Sequence, residues 1–116
     1  MKKLLFLLVL AVMYSSVVIA DGLMKADQKE SYARYLAEQG DADAQYYLGV
    51  MYSAGEGVKQ DYILAHMWYN LAASNGSERG KKSRDFIALG MNYSTEISKA
   101  QDMARECLMK KYKNCD

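Results

Sequence analysis

From residue 26 to 113 apolar side chains recur three and four positions apart, as in Ala44, Leu48 and Tyr52, and again in Ala65, Trp68 and Ala72. That spacing places each set on one face of a 3.6-residue helix and predicts an all-α chain. No stretch alternates in the manner of a half-buried strand. With no proline in the sequence, glycine supplies the punctuation, at Gly40, Gly55, Gly57, Gly76 and Gly90. The pattern predicts five helices: about Asp27 to Gln39, Asp41 or Asp43 to Ala54, Asp61 to Asn75–Gly76, Glu78 to Leu89, and a last one from Ser94 that ends before Cys115. Asp61 suits the cap or first turn of the third. Ser94 is the candidate N-cap of the fifth, with Glu96 in its first turn.

The first 20 residues follow a different rule. Lys2 and Lys3 precede the run Leu4–Met13, and Val18-x-Ala20 resembles a cleavage signal, so residues 1–20 read as a signal peptide cut after Ala20 and the mature chain as periplasmic or secreted. No cysteine stands at the cut to carry a lipid, and the mature chain is expected to make no stable membrane insertion. Removing Lys2 and Lys3 leaves 13 basic side chains against 14 acidic ones, a net charge of −1. That balance argues against a nucleic-acid partner, because phosphate tracking needs a basic stripe. The cluster Arg79, Lys81, Lys82, Arg84 reads as a solvated helix face.

An internal repeat appears at a spacing of 36 residues, with Leu36-Ala37-Glu38-Gln39-Gly40 falling on Ala72-Ala73-Ser74-Asn75-Gly76 and Tyr32 on Trp68. A period of this size marks a solenoid of helical hairpins. The segment Ala42-Asp43-Ala44-Gln45-Tyr46-Tyr47-Leu48-Gly49 through Gly55-Glu56-Gly57, followed by Ala65-His66-Met67-Trp68-Tyr69-Asn70-Leu71-Ala72-Ala73-Ser74-Asn75-Gly76, closely resembles a Sel-one-like repeat. The resemblance covers one complete repeat, about 42–77. The helix before it resembles the end of a degenerate repeat, and residues of about 78–113 resemble capping helices. It implies a short tetratricopeptide-related α-solenoid over residues 21–116, of the exported bacterial type, whose usual role is to hold protein partners. Each matched residue also has a packing reason of its own. Gly49 inside a helix costs about 1 kcal/mol against alanine, which points to a close helix crossing. Arrays generally need about three stacked units, so either the flanking helices complete the core or the protein pairs with itself or another chain.

Candidate chemistry is sparse. His66 is the sole histidine and has no nucleophile in a recognisable motif with it. Its place in the repeat is variable, as for a residue at a surface or interface. The chain lacks Ser-x-x-Lys, Gly-x-Ser-x-Gly, a phosphate-binding glycine loop and His-Glu-x-x-His, so catalysis, cofactors and metal sites are not expected, and an extracytoplasmic hydrolase is only a remote alternative. Tyr47 and Met51 lie four residues apart, outside the repeat's matched positions. They share a helix face and are the leading candidates for binding a protein or peptide, with Tyr62 and His66 as weaker ones. A structural homo-oligomer is the alternative. Cys107 and Cys115 lie roughly 12 Å apart if carried on one helix, too far for a bridge. If the helix stops near Lys110 and the chain doubles back through Tyr112-Lys113-Asn114, an internal disulfide closes; an intermolecular bridge and two free thiols remain open.

Overall fold

A computed structural model describes residues 24–116. The reading of residues 1–20 as a leader falls outside the described residues. Five α-helices follow one another: α1 (Ala26–Glu38), α2 (Ala42–Ala54), α3 (Tyr62–Ser74), α4 (Glu78–Ala88) and α5 (Ser98–Met109). Among the described residues there is no strand. Helix boundaries agree with the periodic pattern to within a residue or two, because the caps are local. Asp41 accepts the Ala44 N–H at 2.9 Å, Asp61 that of Leu64 at 3.0 Å and Ser77 that of Gly80 at 2.9 Å. The turn after α1 closes through Gly40, at φ 89°, and that after α3 through Gly76, at φ 97°. Both conformations belong to the left-handed region where glycine meets no Cβ penalty.

The fifth helix departs from expectation at its start. Its cap is Asn92, not Ser94. Asn92 Oδ1 accepts the Thr95 N–H at 3.2 Å, the Ser94 hydroxyl donates to the same oxygen, and Glu96 accepts the Asn92 N–H at 2.8 Å. The first turn, Tyr93–Ile97, is a π-helical turn that runs straight into α5. The cap lies two residues before the expected Ser94, since asparagine caps as well as serine does, and Glu96 of the first turn bonds back to it.

Helix α3 is the centre of the fold. It packs on α2, α4 and α5, and Ala65, Met67, Trp68 and Ala72 have no exposed surface. Across from it, Ala44, Leu48 and Tyr52 of α2 are buried, and Ala100, Ala104 and Cys107 line the inner face of α5. The two expected stripes, one on α2 and one on α3, therefore meet. Close approach depends on glycine. A Cβ on Gly49 would stand 2.4 Å from the Tyr69 ring, and one on Gly80 of α4 would stand 2.9 Å from the Ala72 Cβ and 3.1 Å from the Tyr69 carbonyl oxygen. No side chain fits there without moving the helices apart.

The chain end then crosses back over the array. Helix α5 stops at Met109, and Lys111, Tyr112 and Asn114 take positive φ angles of 53°, 66° and 52°. This reversal brings Cys115 to disulfide distance of Cys107, with their α-carbons 5.2 Å apart. The Tyr112 ring lies against Gly40, and its hydroxyl meets Asn75 Nδ2 at 3.1 Å. Asn75 Nδ2 also donates to Oε1 of the fully buried Gln45 at 2.9 Å, while Gln45 Nε2 donates to the Ala37 carbonyl at 3.1 Å. Further out, Asp116 accepts hydrogen bonds from the Arg34 guanidinium and the Tyr52 hydroxyl, and Arg34 also pairs with Glu30 at 2.5 Å. Burial opposes the charge on Arg34, but its bonds to Asp116 and Tyr52 outweigh that and raise its pKa. Burial, reinforced by the Asp116 carboxylate and opposed by Arg34, pushes the Tyr52 phenol up to about 12.

Two measurements check this architecture. Gly49→Ala is expected to lower unfolding free energy by about 1–3 kcal/mol in a urea titration despite alanine's better helix propensity, whereas Gly90→Ala, which meets nothing nearer than 3.8 Å, should change it by less than about 0.5 kcal/mol. The oxidised chain should weigh two protons less than the reduced one, and Cys107→Ser with Cys115→Ser should cost about 2–3 kcal/mol on the loop-closure estimate.

Candidate functional site

The turn Gln39–Gly40–Asp41 folds α1 and α2 into an antiparallel pair, with Gln45 reaching Ala37 and Arg34 reaching Tyr52 along its length. On the open side of that pair lies an apolar groove of about 430 Å³. Tyr32, Ala33 and Leu36 form its α1 wall, and Ala44, Tyr47 and Met51 its α2 wall. Asp41 and Asp43 stand at one end, Lys29 and Met24 toward the other. Tyr47 is 50% exposed and Tyr32 is 59% exposed, unusual for aromatic rings beside an apolar depression. The Tyr47 ring is braced by Tyr46, whose centroid lies 5.5 Å away, and Tyr46 leans in turn on Tyr69 at 5.8 Å and on the Arg79 guanidinium at 4.9 Å. The groove is thus backed by the core.

Of the residues singled out from sequence, Tyr47 and Met51 share this groove. Tyr62 does not join them. It is half exposed in a second apolar depression of about 430 Å³ with Phe86, Ile87, Leu89 and Met91, between the start of α3 and the end of α4. His66 corrects an expectation. Read as a surface or interface residue, it is buried, with 3% of its surface exposed, because α3 is covered on the side facing α4 as well as on the side facing α2. Variability within a repeat signals freedom from the shared motif, which a residue packed against a neighbouring unit also has.

Burial lowers the His66 pKa below 6.5; the charge of Arg84 lowers it further and that of Asp85 partly offsets this. Arg84 is held in place by Asn70 Oδ1, which accepts from it at 2.8 Å. Among the described residues neither His66 Nδ1 nor Trp68 Nε1 has a hydrogen-bond partner, an arrangement that costs about 1–3 kcal/mol per group. Neither groove contains a nucleophile beside a base. Among the described residues no three histidine, cysteine, aspartate or glutamate side chains come together as a metal-ligand set, and no described helix is long and apolar enough to cross a membrane. What the α1–α2 groove offers is apolar burial flanked by phenol hydroxyls and, at one end, carboxylates.

Comparison with known proteins agrees with the paired helices, the glycine turns and the α2–α3 crossing. Residues 42–77, which span α2, α3 and their connections, match the Sel1 repeat. The chain carries a Sel1 repeat. The match covers 36 of the 116 residues, and repeats of this kind generally serve in protein–protein interaction. The chain is also similar to chitin synthase regulatory factor 3 of the fission yeast Schizosaccharomyces pombe, 29% identical over 92 residues, which is 78% of this chain. The match spans about a tenth of that protein's length. No solved structure gives a significant match.

The Sel1 repeat's buried histidine yields a pH prediction. The folded state binds the His66 proton less tightly than the unfolded state does, so its contribution is complete above about pH 6.5 and is lost as pH falls below that value. Thermal melts between pH 7.5 and 5 should show the His66→Gln variant losing less stability over this range than the unaltered chain.

Proposed function

We propose that this Sel1-like repeat protein is an exported, non-catalytic adaptor that holds a protein or peptide partner in the groove between α1 and α2. The observation that carries the reading is the pair of half-exposed tyrosines, Tyr32 on α1 and Tyr47 on α2, lining one apolar groove. Rigid aromatic rings backed by a packed core are the side chains that contribute most per residue at protein interfaces. Export rests on the leader-like residues 1–20, and the disulfide-distance pair Cys107 and Cys115 supports a compartment that is oxidising. The similar fission yeast protein is named as a regulatory factor, which fits an adaptor.

Self-association is the second reading. It is favoured by the exposed cluster at the end of α4, where Phe86 is 74% and Leu89 is 85% exposed beside Tyr62. Light-scattering mass separates the two: a monomer with and without reductant supports the adaptor, and a stable dimer abolished by Leu89→Glu supports the subunit.

For the adaptor, a photo-crosslinking residue placed at Tyr47 in the source cells should give discrete adducts that the same probe at exposed Lys99 does not. Tyr47→Ala should weaken capture about tenfold while leaving the melting temperature unchanged, and Met51→Ala, whose side chain also packs on the core, should weaken capture similarly and lower the melting temperature. Equal adducts from both positions would count against the groove. Amino-terminal sequencing of the exported chain should begin at Asp21.

A further inference from the structure

The repeat itself defines what fits the groove. Helices α1 and α3 are related by the 36-residue shift, each ending in a positive-φ glycine and each followed by a capped helix, α2 after Asp41 and α4 after Ser77. Helix α3 has such a helix on both sides, α2 before it and α4 after it. Among the described residues α1 has only the one that follows. Lys29, Tyr32, Ala33 and Leu36, the α1 residues lining the groove, are the 36-residue counterparts of Ala65, Trp68, Tyr69 and Ala72. Those four α3 residues are 0–4% exposed, and Tyr69 takes the Gly49 notch of α2. The same face that receives a helix on α3 is the face left open on α1.

Direction follows from the pair that is filled. Arg79, in the first turn of α4, comes within 3.9 Å of Asp43 in the first turn of α2 and covers the Tyr46 ring. The two helices therefore run side by side in the same sense. A helix continuing that layer ahead of α2 would run antiparallel to α1, its N-terminus at Asp41 and Asp43 and its C-terminus toward Lys29. The charges match a helix dipole laid that way, with carboxylates at the positive end and an ammonium at the negative end. By the pairing of Arg79 with Asp43, the second residue of the incoming helix would meet Asp43.

We propose that the groove is the seat of an amphipathic α-helix from a partner protein, lying antiparallel to α1 as an added member of the array, with a basic residue in its first turn opposite Asp43. This rests on the adaptor reading and narrows it from any peptide to one conformation, direction and charge.

The probe is a hydrocarbon-stapled peptide copying α2, Ala42–Ala54, with Asp43→Arg at its second position, titrated by fluorescence anisotropy against the exported chain beginning at Asp21. Three comparisons carry the test. The Arg peptide should bind about tenfold more tightly than its Asp43 parent, and the preference should invert on a chain carrying Asp43→Arg. A version of the peptide with a central proline should not bind. Tyr47→Lys in the chain should abolish binding without moving the melting temperature. Equal binding of the proline peptide, lost with Tyr47→Lys, would overturn the helix while leaving the groove's adaptor role intact. Binding that ignores both Tyr47→Lys and charge reversal, or no binding by any peptide, would overturn the proposal outright. So would a light-scattering dimer that the Arg peptide fails to displace, which would give the seat to a second copy.

Discussion

The structure depends on how closely α3 can be approached from two sides. Each of its sequence neighbours in the outer layer presents a glycine to it, Gly49 against the Tyr69 ring and Gly80 against Ala72. Trp68 and Met67 fill the volume between the layers with no exposed surface. A helix enclosed this way contributes hydrophobic burial around nearly its whole circumference. That compensates for how few repeats the chain possesses, since a single hairpin would bury only one stripe. The flanking helices add to the core that the repeat begins, with α5 packing on α3 where a further repeat would have packed.

Most of this was legible in the sequence because it is local. The stripes Ala44, Leu48, Tyr52 and Ala65, Trp68, Ala72 follow from periodicity, the helix starts at Asp41 or Asp43 and at Asp61 from side-chain chemistry, and the turns from glycine. Eight residues on one helix hold Cys107 and Cys115 too far apart, so the sequence makes a reversal the condition of an internal bridge while leaving the pairing itself open. What was not legible is non-local or subtle. Nothing near Asp116 marks it as the partner of Arg34 and Tyr52, 82 and 64 residues away. Gln45 resembles any polar helix residue until its partners Ala37 and Asn75 are placed around it.

The candidate site shows the same division. Tyr47 and Met51 were identifiable because they sit on one helix face outside the repeat's shared positions. Their groove-mates Tyr32 and Leu36 were visible only as terms of the 36-residue match, whose meaning depends on which faces of α1 and α3 are covered. His66 was misjudged for a physical reason. Periodicity reports which positions a helix buries on one side, and α3 is buried on several, so an apparently free position is enclosed.

The returning tail has a consequence for how such a chain can change its length. Solenoids ordinarily grow by duplication, because each unit touches only its neighbours and one more can be inserted without disturbing the rest. Here Tyr112 and Asp116 connect the last helix to the first two, across α3. An extra hairpin between α3 and α4 would displace α5 by another pair of helices, each roughly 8–10 Å wide at the contact, and carry Asp116 beyond the reach of Arg34. The tail thus fixes the number of helices between α1 and α5, while leaving the outer face of α1 free to take more.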